Sequence, residues 1–271
     1  MTQSLTDRET LLRNRSRVAD IQDLFLHRAA LEDVQDRLTL VNKSFTAPAV
    51  ISGYPQFWSA VMPGALQVPD DETLNLEEAA HDLVIHAMGL HWANDPVGQL
   101  VQARRALKPD GLFLGILLGG QTLSELRSAL AQAESDLRGG LSARVAPMAE
   151  IRDLGAVLQR AGFALPVADS FTLTATYSNA LELMRDLRAM GEANALTMRP
   201  RGLTRRDVIL RACEVYQKSF GGADGRIPAT FEIITLTGWS PHEDQPKPLR
   251  PGSASTRLAD ALGANERPLK D

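Results

Sequence analysis

The first part of the chain alternates between helical and strand-like patterns of apolar residues. Within residues 1–45, apolar side chains recur every three or four positions with Asp and Arg between them, which predicts helix. Three continuous apolar runs, Pro48–Ser52, Asp82–Met88 and Gly111–Leu118, predict buried strands. Between the last two, Asp95–Leu107 permits a helix and Lys108–Gly111 (KPDG) predicts a turn. This order of strand, helix, turn and strand is typical of a parallel sheet.

The second half of the chain predicts more helices than strands. Thr122 and Glu125 have the spacing of a capping box, and Gly162 follows the end of another helical stripe. Apolar residues alternate with Thr in Phe171–Tyr177, which predicts a half-buried strand. A last strand, Thr230–Gly238, is expected at the edge of the same sheet.

The segment Ser178–Gly222 predicts two successive helices with no strand between them. Asn179 with Glu182 caps the first helix, and Thr204 opens the second. Such an insertion usually lies above the carboxyl ends of the strands as a lid. We therefore expect an α/β domain over residues 1–241, Rossmann-like and doubly wound, with a mostly parallel sheet and an α-helical lid. Residues 242–271 are rich in Pro, Ser, Gly and charge, and predict a flexible tail.

Composition narrows the class of protein. The net charge of −4 gives no sign of a broad surface for nucleic acid or for an anionic membrane, and no apolar run approaches the length of a membrane span. The single cysteine, Cys213, excludes an internal disulfide and lies on an apolar helical stripe, where we expect core packing. No His, Asp and Glu spacing indicates a metal site. A cytoplasmic protein, or one on the matrix side of an organelle, fits these features.

Several segments resemble class I S-adenosylmethionine-dependent methyltransferases. The stretch Asp82–Asp95 (DLVIHAMGLHWAND) resembles their central strand and following loop, and Leu107–Leu114 (LKPDGLFL) resembles the next strand with its entry turn. Both suit the superfamily that includes the malonyl-carrier-protein methyltransferase of biotin synthesis. Segments 119–127, 186–194, 228–233 and 237–239 are similar to bacterial relatives of a mitochondrial complex I assembly factor that hydroxylates an arginine.

The resemblance implies S-adenosylmethionine as cofactor, but its binding motif is degenerate. The family holds this cofactor on a Gly-x-Gly turn after the first strand, where this chain keeps only Gly53, followed by Pro55, which stiffens the turn. The segment between Gly53 and Asp70 is expected to be too short for the family's second strand with its flanking helices. No acidic residue can be assigned to bind the ribose hydroxyls of the cofactor. Asp70 aligns with the acceptor of the adenine amine, beside Asp71. We therefore predict weak or no binding of this cofactor.

The candidate cofactor residues, Gly53, Asp70, Asp71, His86 and His91, each have a structural alternative. The acidic residues could form a solvated turn. His86 could fill vacated cofactor space or point outward, and His91 could line the pocket or be a core histidine bonded to backbone. Trp92 is expected to pack rather than stack on a cofactor.

Two functions follow from these features. The first is methyl transfer, for which no catalytic residue can be assigned. The second is a non-catalytic binding module or assembly factor for a respiratory complex, acting through a protein partner. In that case, recognition is expected on the lid, where polar contacts around an apolar stripe are offered by Arg185, Arg188, Glu192 and Asn194. The alternative is that the charges are solvated and that the helix is only seated on the sheet by its apolar residues, Leu183, Met184, Leu187 and Met190. The sequence does not define the oligomeric state.

Overall fold

The structure, a computed structural model, describes residues 4–246; of the predicted tail, residues 247–271 lie outside this range. Its contacts group the chain up to Pro241 into one compact unit. The helices are α1 (Arg8–Arg15), α2 (Phe25–Leu40), α3 (Pro55–Val61), α4 (Pro96–Ala106), α5 (Ser124–Arg138), α6 (Ile151–Arg160), α7 (Ala180–Ala189) and α8 (Arg206–Phe220). The strands are β1 (Pro48–Ser52), β2 (Leu66–Val68), β3 (His81–Ala87), β4 (Leu107–Leu118), β5 (Ala164–Tyr177) and β6 (Ile227–Trp239).

The six strands form one mixed sheet in the order β2-β1-β3-β4-β6-β5. The first four strands pair in parallel, and β6 pairs antiparallel with both β4 and β5. This arrangement confirms the α/β class and the mostly parallel sheet. The edge placement of the last strand is wrong, because β6 lies inside the sheet and β5 forms the edge. The reason is visible in burial: β6 is buried along most of its length, whereas β5 alternates between half-buried and exposed residues.

Helices cover both faces of the sheet, as a doubly wound fold requires. One core packs α2, α3, α5, α7 and α8 against one face, with Trp58, Tyr216 and Phe231 among its fully buried side chains. Cys213 is half-buried at the margin of this core. The second core packs α4 and α6 against the opposite face. In the part of the chain that the structure describes, no helix has the length and apolar character needed to cross a membrane.

The turn predicted at Lys108–Gly111 is an irregularity inside β4. His81 pairs with Leu107, and Leu83 pairs with Leu112, so the one residue between them in β3 faces four residues of β4, 108–111. Asp110 adopts a left-handed backbone conformation with φ 59°. The Pro and Gly signal therefore marks a break in the ladder and not the beginning of the strand.

The capping box predicted at Thr122 and Glu125 is wrong. Helix α5 begins at Ser124, and no side chain caps its N-terminus. Thr122 Oγ1 instead donates to the Glu232 carbonyl at 3.2 Å, and the Glu125 carboxylate accepts from Thr230. Both side chains bind β6, so tertiary contacts override the local motif. The cap of α7 is confirmed, because Asn179 Oδ1 accepts from the backbone N–H groups of Leu181 and Glu182.

The connection from β1 to Asp70 is short but still contains a helix and a strand. Pro55 is in the first turn of α3, where its fixed φ suits a helix start. The three residues of β2 then pair in parallel with β1. The expectation that too little chain is available for this strand with its flanking helices is therefore wrong for the strand and for the helix before it, whereas no helix lies between β2 and β3. Beyond β2, the chain passes through Pro69 directly to Asp70.

Candidate functional site

The candidate site lies at the carboxyl ends of β1 and β3. Helix α1 and residues 190–196, which we call the covering segment, lie over these strand ends. Tyr54, which follows β1, donates its hydroxyl to the Met190 carbonyl at 2.7 Å. Asn14 of α1 donates to the Ala193 carbonyl at 3.1 Å, so the two covering elements are tied together. Leu11, Trp92 and Leu196 bury their side chains in a small cluster below them.

A buried ion pair between Arg15 and Asp70 forms the centre of this site. Arg15 Nη1 donates to Asp70 Oδ1 at 2.7 Å, and the two side chains are only 5% and 3% exposed. Arg8 approaches the same oxygen at 3.4 Å, and the Arg15 guanidinium lies 5.7 Å from the centre of the Tyr54 ring. Burial alone raises the pKa of Asp70, but the Arg15 charge outweighs it and holds this pKa below its usual range. Asp70 is therefore an ionised carboxylate paired within the protein.

Gly53 is the residue against which the Arg15 guanidinium packs. A Cβ atom at this position would lie 2.2 Å from Arg15 Nη1 and 2.3 Å from its Cζ, so a side chain here would displace the guanidinium. The glycine thus allows the close approach of this side chain to the turn after β1. The face of Gly53 that the family resemblance assigns to a cofactor is covered by the protein's own arginine.

His86 lies beside this ion pair and does not point outward. Its Nε2 is 2.7 Å from Gln99 Oε1, and Gln99 donates from Nε2 to the Asp71 carbonyl. Burial lowers the pKa of His86 to about 4, so the ring is neutral at pH 7. A Cβ at Gly89 would lie 2.7 Å from Asp70 Oδ2 and 2.9 Å from His86 Cε1, so these groups are tightly packed.

A second polar group links His91 and Trp92 to Glu192 of the covering segment. Trp92 Nε1 donates to Glu192 Oε2 at 2.8 Å, and His91 Nε2 lies 3.4 Å from the same oxygen. The other His91 nitrogen, Nδ1, accepts from the Leu118 backbone N–H at 3.5 Å. Burial alone raises the pKa of Glu192, but His91, the Arg15 charge and Trp92 outweigh it and hold this pKa below its usual range.

The expectation that Arg188 and Glu192 carry exposed charges is wrong for Glu192. Its side chain is 8% exposed because Trp92 and His91 hold it beneath the covering segment. Asn194 also turns inward and donates to the Ala143 carbonyl at 2.8 Å. Arg185 and Arg188 are exposed as expected. Sequence periodicity could not separate these cases, because residues 190–196 follow the end of α7 and have no helical face.

An apolar cavity of about 310 Å³ opens next to Glu192. Residues of the sheet, α2, α5 and α7 supply part of its wall, including Leu118, Leu126, Leu187 and Phe231. Its polar lining residues are Arg144, Arg188, Glu192, Asn194 and Thr204. The cavity is large enough for a long side chain of a partner, and it places one ionised carboxylate at an apolar wall.

The structure thus brings Gly53, Asp70 and His86 together, whereas His91 belongs to the neighbouring Glu192 group. Asp71 lies at the surface with a side chain 60% exposed, where Arg8 pairs with it at 3.1 Å. The residue that the sequence predictions missed is Arg15. Its partner is 55 positions away in sequence, and nothing in the local pattern of α1 distinguishes it from the exposed arginines nearby.

Comparison with known proteins agrees with this architecture. Residues 56–115 match the family described as "Methyltransferase domain". These findings support a class I S-adenosylmethionine methyltransferase-like protein.

Among curated proteins, this chain is 41% identical over 199 residues to the mitochondrial arginine-hydroxylase NDUFAF5 of Danio rerio, covering 73% of this chain and 62% of that protein. For the NDUFAF5 of Homo sapiens, the identity is 37% over 220 residues, covering 81% and 64%. The malonyl-[acyl-carrier protein] O-methyltransferase of Nitrosospira multiformis is 37% identical over 172 residues, covering 64% and 53%. The chain therefore matches between half and two thirds of the length of these relatives. The solved structure of the YcgJ protein from Bacillus subtilis has a TM-score of 0.49 and 10% identity, covering 78% of this chain and 99% of that chain.

The residues at the strand ends do not fit S-adenosylmethionine. The guanidinium of Arg15 covers the bare face of Gly53, where backbone would have to approach the cofactor. The Asp70 carboxylate, which the family resemblance places at the adenine-amine acceptor, is paired through Oδ1 with Arg15 and Arg8. His86 and Asp70 pack directly against Gly89 on the remaining side. Cofactor entry would require Arg15 to leave a buried ion pair.

Proposed function

We propose that this chain is a methyltransferase-fold binding module for a protein partner and that it works without S-adenosylmethionine. The observation that carries the proposal is the Arg15 guanidinium, which lies against Gly53 and pairs with Asp70. A protein that used the cofactor would need this glycine face and this carboxylate to be accessible. Here both are used for internal stability.

The proposed partner is a protein that presents an arginine side chain to the cavity beside Glu192. The cavity has apolar walls for an aliphatic stem and an ionised carboxylate for a guanidinium, a pairing that is strong and geometrically specific. No described residue donates to Glu192 Oε1, whereas Oε2 accepts from Trp92. The curated relatives named arginine-hydroxylase support an arginine as the recognised group. A role in respiratory-complex assembly, in the cytoplasm or in a matrix, completes this proposal.

Glu192→Gln is expected to weaken binding of an arginine-bearing partner by at least about tenfold. Gln keeps the size of the side chain and an oxygen for Trp92, but it removes the charge, and hydrogen bonds to charged groups contribute about 1.5–3 kcal/mol. The measurement is calorimetric titration with peptides from respiratory-complex core subunits, each made with arginine and with uncharged citrulline. Wild-type protein should prefer the arginine form, and Glu192→Gln should lose this preference.

Arg185→Ala is the matched control for this titration. Arg185 is exposed on α7 and does not line the cavity, so its removal should leave both peptide affinities unchanged. Thermal melting of both variants shows whether they are folded. Equal binding of arginine and citrulline peptides by the wild-type protein would reject arginine recognition at this cavity.

Methyl transfer is the competing function. It is favoured by the match of residues 56–115 to a methyltransferase domain. The family resemblance, which places Asp70 at the adenine-amine acceptor, also favours it. This function requires tight binding of S-adenosylmethionine together with displacement of Arg15. The binding-module function requires neither.

A further inference from the structure

Two neighbouring loops concentrate positive charge in a chain whose net charge is −4. Residues 138–144 (RGGLSAR) follow α5, and residues 198–206 (MRPRGLTRR) precede and begin α8; we call the two together the basic loop surface. They contain six arginines and no acidic residue. Both loops line the same groove, of about 460 Å³, through residues that include Gly140, Leu141, Pro200 and Leu203. The loops therefore form one continuous surface.

Part of this positive charge has no counter-ion in the protein. Arg144 pairs with Glu134, Arg199 with Asp7, and Arg205 with Asp207. The side chains of Arg201 and Arg206 are exposed, and neither side chain forms a salt bridge or hydrogen bond with any residue between positions 4 and 246. These two guanidinium groups are thus available to an external anion.

Three large apolar side chains project from the same loops. Leu203 is 101% exposed, Leu141 is 72% exposed and Met198 is 69% exposed. A group of large apolar side chains that are mostly exposed to water is unfavourable and usually marks a contact surface. Here each is flanked by arginines rather than by residues of mixed charge.

We propose that the basic loop surface docks the protein on an anionic lipid bilayer. Arginines near an anionic leaflet are attracted to it, and apolar side chains at loop tips can enter the boundary between headgroups and acyl chains. Protein interfaces instead have a contiguous apolar core with a polar rim. The separated leucines and the single sign of charge favour the bilayer over an acidic protein. This inference goes beyond the proposed binding function and does not depend on it.

The test is sedimentation of the full chain with vesicles of phosphatidylcholine alone and with added phosphatidylglycerol. Wild-type protein should bind only the anionic vesicles, and binding should fall with salt. Arg201→Glu/Arg206→Glu should lower the partition coefficient by about twentyfold or more, since each cation near such a surface contributes about fivefold. Leu203→Ser should lower it severalfold without changing the net charge.

Two control variants match these changes elsewhere on the molecule. Arg152→Glu/Arg160→Glu makes the same charge change on α6, which packs on the opposite face of the sheet. Leu40→Ser removes a leucine that is 85% exposed at the end of α2. Both controls should bind anionic vesicles like the wild-type protein. An equal loss in the α6 variant, equal binding to neutral vesicles, or binding of polyglutamate without binding of anionic vesicles would each overturn the proposal.

Discussion

Replacing Arg15 by methionine is expected to lower the free energy of unfolding by about 3–5 kcal/mol at neutral pH. The substitution leaves the Asp70 carboxylate, 3% exposed, without its principal partner at 2.7 Å. Arg8 at 3.4 Å compensates only in part, because its side chain is nearer the surface. Urea denaturation followed by circular dichroism measures the loss.

Arg17→Met is the matched control, because Arg17 is exposed just after the same helix and its side chain forms no ion pair or hydrogen bond with residues 4–246. It should change the free energy of unfolding by no more than about 0.5 kcal/mol. The double variant Arg15→Met/Asp70→Leu should recover much of the stability, since an apolar pair can replace a buried ion pair at little cost. An Arg15→Met protein as stable as Arg17→Met would show that the buried pair is not formed.

Acidification is expected to destabilise the protein well before its carboxylates titrate. Burial lowers the pKa of His86 to about 4 and that of His27 to about 3, from the ordinary value of 6.5. Trp58 Nε1 donates to His27 Nδ1 at 3.2 Å, which requires an unprotonated nitrogen. Below pH 6.5, the unfolded chain therefore binds protons that the folded protein does not.

The direction of the effect follows from proton linkage. Stability rises with pH wherever the unfolded state binds more protons, so these histidines contribute fully above pH 6.5 and lose their contribution as the pH falls toward 4. Between pH 7 and about pH 4.5, the two groups together should lower the free energy of unfolding by about 4 kcal/mol. Urea titrations at several pH values measure this decrease in the free energy of unfolding, and His86→Gln should reduce the decrease by about half. A free energy that is constant down to pH 5 would contradict the neutral, buried state of these rings.

The sequence predicted the parallel half of the sheet well because its strands are continuous apolar runs. Pro48–Ser52 was placed at its observed bounds, and Asp82–Met88 differs by one residue at each end. Such runs need burial on both faces and leave few alternatives. The position of β6 was not predictable in the same way, since periodicity gives no information about which strand is its neighbour.

The candidate site was predictable only where the family resemblance pointed to its residues. Gly53, Asp70 and His86 were found in this way, and the structure places them after β1, shortly after β2 and within β3. Arg15 and Glu192 reach the site from a distant helix and from the covering segment, and their partners are 55 and 100 positions away. Contacts of this kind depend on tertiary packing, which local patterns do not specify.

The most direct test of this account is titration of the purified wild-type chain with S-adenosylmethionine by isothermal calorimetry. Arg15 against Gly53 and the ion pair at Asp70 predict no saturable heat, even at cofactor concentrations far above those that saturate methyltransferases. Loss of one charge-assisted pair of hydrogen bonds alone reduces affinity by roughly a hundredfold. Saturable binding with a low-micromolar Kd would contradict the account, because it would show that Arg15 yields its place to the cofactor.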